Sequence, residues 1–377
     1  MPHKKGFVYV WPLSARIIHW TIALSFTLSF ITAFYHNYFT AHIAFGYLFA
    51  LSLLFRLVWG FVGPNYATFK TFTLSFKALK LYFTEKMRDR WRPIHPGHNP
   101  ASSWFTLIVL GMGLSIALSG LVLFGIQEGS GPLNSLNSQF FRFSSLWERM
   151  HRSFSYILLL WALIHIVGVL TEQFYHRTRM VLAMISGYKP CLGEDALVSP
   201  FQHFLTYGAI VVHALVFILL LYGDNETFLT RSLFQAHHYE QENKTYATFC
   251  TKCHKPYPPF MLPRESWVKM MEGLKNHFGE EITDSNLSRE DKESIQAYLL
   301  SSSAEFSSHK LAFKTLDSLG ELRPLSITKS SYWRESHAHL SPELFKHPLV
   351  KDKSNCFACH KGFENGIFDN RFIHLPK

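Results

Sequence analysis

Five apolar runs constrain this chain more than any other feature. They fall at about residues 16–35, 42–62, 103–124, 146–171 and 204–222. About 20 helical residues cross the hydrocarbon core of a bilayer, and each run has that length. Backbone amides find no water in hydrocarbon, so such runs satisfy their N–H and C=O groups internally, as helices. After about residue 223 the composition turns polar. The mean hydropathy of +0.05 averages two unlike parts. The expected fold is mainly α, a transmembrane helical bundle followed by a soluble domain. The first run has no small-residue cleavage site after it, so it is expected to stay as an anchor.

The polar part holds two copies of Cys-x-x-Cys-His: Cys250-Thr251-Lys252-Cys253-His254 and Cys356-Phe357-Ala358-Cys359-His360. This is the spacing of a c-type haem attachment site. The two thiols can form thioethers to the vinyl groups of one haem, and the adjacent His can turn back to ligate the iron. Zinc sites and thioredoxin-like redox pairs also use Cys-x-x-Cys. Zinc needs its ligands together, and these pairs lie about a hundred residues apart with no cysteine between them. A thioredoxin motif belongs in a βαβ context, which is absent. Two covalent c haems are therefore expected, using four of the five cysteines. Such haems are attached outside the cytosolic membrane, so this part is expected there. Cys191 is left over, an expected unpaired thiol on the other side.

The net charge of +10 is unevenly spread. Lys4, Lys5 and Arg16 precede or open the first run. Lys70, Lys77, Lys80, Lys86, Arg88, Arg90 and Arg92 crowd the second link, and Arg177, Arg179 and Lys189 the fourth. The other links are poorer: residues 35–41 have no Lys or Arg, and 127–145 only Arg142. The positive-inside rule then puts the N-terminus in the cytoplasm, with Arg149 and Arg152 counting slightly against it. Five crossings leave the C-terminal part outside, where haem attachment independently requires it. Acidic lipid headgroups account for the basic charge, and no nucleic-acid partner is expected.

Ionisable residues inside a bilayer are costly and mark function. His19 lies near the inner end of span one, and His42 opens span two at the outer side. His151 and His165 share span four. Their fourteen-residue separation is roughly 21 Å of helix and nearly four whole turns, so both face one way. Depths match in pairs, His19 with His165 and His42 with His151. Two bis-His haems b stacked across the membrane fit this, against the plainer reading of isolated polar residues. Arg16 and Arg56 lie near the inner ends of their spans. They can meet haem propionates or snorkel to headgroups. His213 stands alone in span five and is given no ligand role.

Residues 9–189 resemble the bacterial cytochrome b561 family, which includes the b-type cytochrome subunits of nickel–iron hydrogenases. The matching stretches are Ala15-Arg16-Ile17-Ile18-His19-Trp20, Phe55-Arg56-Leu57-Val58-Trp59-Gly60-Phe61-Val62-Gly63, Gly97-His98-Asn99-Pro100 and Met184-Ile185-Ser186-Gly187-Tyr188-Lys189. The resemblance implies a four-helix dihaem cytochrome b with ligands at His19, His42, His151 and His165, the set that depth matching selects. Residues 246–376 resemble the small dihaem cytochrome c family through 250–267 with Tyr257-Pro258-Pro259, Asn276-His277-Phe278-Gly279, Tyr332-Trp333-Arg334-Glu335-Ser336-His337 and 355–366. That resemblance implies bis-His ligation, with His277 and His337 as distal partners of His254 and His360. His339 is the reserve for His337. From the residues alone, His309, His347, Met261, Met270 and Met271 also compete. The expected domains are a cytochrome b561-like membrane domain at 1–200, a fifth transmembrane helix at 201–223 and a loop-rich, α-helical dihaem cytochrome c domain at 224–377.

Within that last domain, 267–278 repeats apolar residues at helical spacing. A second helix is expected over 289–300, with Ser288 as N-cap and Asp291 completing a capping box. A turn is expected at 284–287 and loop over 301–330. So small a core is expected to need its haems to fold.

No nucleophile–base constellation or phosphate loop is present. The expected function is transmembrane electron transfer through two b and two c haems, from membrane quinol to a periplasmic haem protein or other redox partner, in a bacterial inner membrane. This leaves open a quinol oxidoreductase activity. Around a quinone, only position singles out Arg149, Arg152 and 127–145. Two other readings stand beside it: a quinone-reducing anchor subunit of a periplasmic hydrogenase or dehydrogenase, and a haem-based sensor or scaffold. Co-purification of a large catalytic subunit marks the first. The ligand set predicts equal amounts of b and c haem in a pyridine haemochrome assay; c haem alone removes the membrane half of the scheme.

Overall fold

The computed structural model describes residues 6–35, 38–88, 94–137, 140–222, 227–282 and 287–376. Lys4, Lys5, Arg90 and Arg92 lie outside these, as does most of the expected turn at 284–287. The chain divides into two compact units. One is Met1–Val122 with Ser145–Asp224, the other Leu123–Ser144 with Asn225–Lys377.

The first unit begins with β1 (Phe7–Tyr9) and continues through α1 (Leu13–Thr32), α2 (Phe39–Val62) and α3 (Phe76–Arg88). It goes on with α4 (Pro100–Glu128), α5 (Ser144–Leu170), α6 (Met180–Ser186), β2 (Tyr188–Pro190) and α7 (Pro200–Tyr222). Five of these helical stretches are long and apolar enough to cross a membrane. The protein is a multi-pass membrane protein. Each expected run is present, with bounds shifted by a few residues. The third reaches three residues further towards the N-terminus than 103, because Asn99 accepts a hydrogen bond from the Ser102 amide and Pro100 occupies the first turn.

Hydroxyls inside these helices bond back to their own carbonyls. Thr21 donates to Ile17 O, Thr27 to Ala23 O and Thr32 to Leu28 O, at 2.7–2.9 Å. This satisfies them where no water is available. The interior is Phe26, Phe49, Leu53, Leu110, Ile116 and Leu158, drawn from α1, α2, α4 and α5. A Cβ on Gly113 would come within 2.7 Å of the Leu53 side chain, so the missing side chain lets α4 approach α2. Leu24, Phe61, Leu160, Val167, Phe204 and Val211 face outward, as lipid contact requires.

Short ties fix the ends of the bundle. β1 pairs antiparallel with β2, setting Val8 opposite Lys189. Lys189 is buried, and its ammonium donates to His95 O at 2.6 Å and Pro96 O at 3.2 Å. It is thus bound to backbone carbonyls rather than free to meet headgroups, unlike the loop cation that its position in the sequence suggested. Gln202 ties the start of α7 to α2 by donating to Val62 O at 2.7 Å.

The second unit carries α8 (Tyr239–Glu242), α9 (Lys244–Phe249), α10 (Arg264–Glu272), α11 (Arg289–Ser301), α12 (Lys310–Leu319) and α13 (Ser331–His337). The capping box at Ser288 and Asp291 is present in both directions. Tyr246, Met261, Trp267, Ile295, Leu299 and Phe363 belong to one apolar core, against which Cys250 and Cys356 pack. The stretch expected to be loop over 301–330 contains α12. Ala312, Thr315 and Leu319 recur on its buried face, while Asp317 is exposed. The segment 123–144 packs into this unit. Phe141 stacks on Phe313 with ring centres 4.2 Å apart, and buried Glu128 accepts from Lys310 Nζ at 2.8 Å and Asn370 Nδ2 at 3.2 Å.

His309 is sandwiched between Phe234 and Phe260, with ring centres 3.6 and 4.1 Å away. Burial, then the nearby His237, pushes its pKa down to about 3 from 6.5. The folded state thus binds fewer protons than the unfolded chain between those values, so stability falls as pH drops through that window. Between pH 7 and 5 this residue should account for a loss of about 2 kcal/mol. Urea midpoints of wild type and His309→Phe at the two pH values check it: the variant should lose less on acidification, and an equal loss refutes the assignment.

Candidate haem sites

Among the described residues, four pairs of histidine rings face one another. His19 of α1 and His165 of α5 have ring centres 6.3 Å apart. His42 of α2 and His151 of α5 are also 6.3 Å apart. In the second unit His254 and His277 stand at 6.2 Å, and His337 and His360 at 6.2 Å. The planes within a pair differ by 56°, 81°, 21° and 62°, so no common stacking contact sets the distance. Two metal–imidazole bonds of about 2 Å, with roughly 1.1 Å from each nitrogen to its ring centre, add up to about 6.2 Å. The gap in every pair fits one metal ion shared by two imidazoles.

The second nitrogen of several rings is already used. His42 Nδ1 donates to Ser29 O at 2.9 Å, His151 Nδ1 to Ile116 O at 3.1 Å, His254 Nδ1 to Lys255 O at 2.8 Å and His337 Nδ1 to Trp333 O at 2.8 Å. A carbonyl only accepts, so Nδ1 carries the hydrogen and Nε2 keeps its lone pair. Metal-binding histidines are oriented in this way. His165 is held instead by stacking on Phe105, with centres 4.5 Å apart and planes 13° apart. Gly120 leaves room for His151: a Cβ there would lie 3.1 Å from its Cε1.

Arg16 and Arg56 carry guanidinium groups with unspent donors. Arg16 Nη1 donates to Ile185 O, while its Nε is buried without a partner among the described residues. Arg56 lies over the Phe69 ring at 5.3 Å, and its Nη1 is buried and likewise unpartnered. A cation's N–H groups buried in this way call for an anion, and a haem propionate has that chemistry. The sequence reading gave no role to His98. It is part-buried, packs on Phe72 at 4.7 Å and donates through Nδ1 to Tyr66 O at 3.1 Å. Burial and then Arg56 push its pKa down to about 3, which keeps it neutral beside that cation. The Gly97-His98-Asn99-Pro100 stretch was the signal that could have singled it out.

At the Cys-x-x-Cys-His copies, burial pushes the Cys250 thiol up to about 11 and Cys356 up to about 12, and raises Cys359. A thiolate is disfavoured there. A thioether has neither proton nor charge and suits the same surroundings. Burial also lowers His277 and His337, and holds His360 at about 4, with its partner His337 the second cause. Neutral imidazole is the form that ligates metal. Of the competing groups, Met261 is in the apolar core, Met270 and Met271 pack on it, and His309 is between two Phe rings. Of His337 and His339, His337 is the residue that faces His360.

Comparison with known proteins matches two parts of the chain separately. Residues 10–187 match the family model of prokaryotic cytochrome b561, and residues 246–368 match that of dihaem cytochrome c. Among characterised sequences, a probable Ni/Fe-hydrogenase B-type cytochrome subunit of Rhodobacter capsulatus is 26% identical over 221 residues, covering 49% of this chain and 82% of the relative. Its counterpart in Azotobacter chroococcum is 25% identical over 218 residues, 49% of this chain and 90% of the relative. Among solved structures, a dihaem cytochrome c from Rhodobacter sphaeroides is 32% identical, covers 36% of this chain and all of its own, and has a TM-score of 0.30. The chain is thus a prokaryotic cytochrome b561 joined to a dihaem cytochrome c, binding b-type haems in the first part and two c-type haems in the second, and it serves transmembrane electron transfer.

Proposed function

We propose that the protein passes electrons from a membrane quinol, through two b and two c haems, to a soluble haem protein or other redox partner in the periplasm. The observation that carries this reading is the near-constant 6.2–6.3 Å separation of four histidine pairs. The proposed ligands are His19 with His165 and His42 with His151 for the haems b, and His254 with His277 and His360 with His337 for the haems c. Cys250 and Cys253 hold one c haem, Cys356 and Cys359 the other. Arg16 and Arg56 meet propionates. Each haem, when bound, supplies an iron that takes up and releases one electron. A quinol becoming a quinone gives up two electrons and two protons, so the electrons leave it one at a time. The chain's own part is to fix the imidazoles, on long packed helices for the membrane pairs and on α13 and short turns for the others.

The proposed setting is a bacterial inner membrane with the N-terminus in the cytoplasm and the C-terminal region in the periplasm. The basic links at 62–103 and 171–204 and the location of c-haem attachment support it. The proposed organisation keeps a membrane domain at 1–200, a fifth helix at 201–223 and a c-type domain at 224–377. A second reading rests on the relatives named as hydrogenase cytochrome subunits. There the electrons enter from a periplasmic hydrogenase or dehydrogenase and quinone is the acceptor.

Ligand variants separate the two kinds of site. His42→Ala and His19→Ala should each remove about half of the b haem and leave c haem intact. His277→Ala should keep its haem, because thioethers hold it, but convert that haem from low to high spin in the visible spectrum. Full b-haem content in both membrane variants contradicts the assignment. Adding a short-chain quinol to the purified protein should reduce the c haems; if they stay oxidised, the sensor or scaffold reading takes its place.

A further inference from the structure

A cavity of about 250 Å³ lies between α1, α2 and α7. Ile18, Leu48, Phe55 and Phe217 give it apolar walls. Its hydroxyls at Thr21, Ser52 and Thr206 are spent, since each donates to a carbonyl one turn back in its own helix. Two polar atoms are not spent. Ser14 is 4% exposed and its Oγ has no partner among the described residues. His213 as a whole is part-exposed, but its Nε2 is shielded from solvent and also has no partner among the described residues. Both residues line this one cavity.

The tautomer of His213 follows from its other nitrogen. Nδ1 lies 2.7 Å from Ala209 O, which can only accept, so Nδ1 carries the hydrogen. Nε2 is then a bare acceptor in a place where lipid offers it nothing. Leaving such a group unpaired costs about 1–3 kcal/mol. An acyl chain could fill the volume but could not donate. The occupant must present an O–H to Nε2 and a further oxygen to Ser14. It must otherwise be apolar and about the size of one substituted ring. A cavity of about 150 Å³ holds benzene, so this one has room for a ring with its oxygens and small substituents.

We infer that this cavity binds the ring of a para-quinol, with His213 Nε2 accepting from one hydroxyl and the Ser14 hydroxyl meeting the other oxygen. The site places the quinol of the preceding section against the fifth membrane helix, and it rests on that reading. His213 acquires a role that pairing with another histidine did not give it. The reduced ring is the preferred form, because a quinone has no O–H to offer Nε2.

The test uses the purified, haem-loaded full-length protein and a quinol analogue, heptyl-hydroxyquinoline N-oxide, followed by quenching of its fluorescence. His213→Leu and Ala214→Phe, which fills the cavity, should each weaken binding by about tenfold or more, with the b-haem spectrum unchanged. His213→Gln, whose amide oxygen also accepts, should retain part of the affinity. Should either large change lose b haem, the small change Ser14→Ala decides, with an expected loss of a few fold. Wild-type affinity in the cavity variants overturns the site while leaving the quinol reading intact. A wild-type protein that neither binds the analogue nor is reduced by quinol overturns both.

Discussion

The gap between paired imidazoles is the constraint on which the rest depends. Two rings held about 6 Å apart, with ring nitrogens left unspent, are unfavourable in an apolar interior unless something lies between them. Among the described residues the chain accepts that cost four times. It secures His42, His151, His254 and His337 from behind by the Ser29, Ile116, Lys255 and Trp333 carbonyls, and His165 by the Phe105 ring. These supports belong to packed elements, so the pairs are only as well placed as the elements that carry them. Gly113 and Gly120 matter for that reason: both sit on α4, one letting it reach α2 and the other leaving space for His151.

The two units answer this constraint differently. In the membrane, long helices with internally bonded backbones make rigid walls, and non-covalent capture suffices. Outside it, the elements around the second set of pairs are short. α13 has seven residues, and the Cys356 copy lies in a three-residue helical turn. Such pieces hold little order alone. Two of the thiols that would tie a haem to them, Cys250 and Cys356, are packed against the apolar core. Covalent attachment compensates for weak local structure, and a bundle of helices 20 or more residues long has less need of it.

Much of this was legible in the sequence because each signal had a strict physical period. Bilayer thickness fixed the five runs. Four helical turns between His151 and His165 fixed their common face, and the Cys-x-x-Cys-His spacing is set by the haem edge. The capping box at Ser288 was equally readable. What escaped was structure whose signal is diluted. α12 buries Ala312, Thr315 and Leu319, and one of these is polar. Lys189 counted as a loop cation because nothing in its neighbourhood announces two carbonyls 94 and 93 residues away. The segment 123–144 read as an outer link, yet its Glu128 meets Lys310, 182 residues on. Contacts across such separations leave no local pattern.

His213 shows where pairing logic ends. It was set aside because no second histidine matched its depth, which tests only for a bis-His iron. An unpaired buried nitrogen is not in itself a sign of a ligand. Trp59 Nε1 and Thr315 Oγ1 are also unpartnered among the described residues, and their residues are fully buried in protein. His213 and Ser14 have a further feature: both line one partly open cavity with mostly apolar walls. An orphaned acceptor beside packed protein reports imperfect satisfaction. The same acceptor beside an empty, ring-sized volume reports the shape and hydrogen-bonding pattern of what belongs there. Because α7 supplies His213 and α1 supplies both Ser14 and His19, α1 links the inferred ring site to a paired-histidine site through a single rigid element.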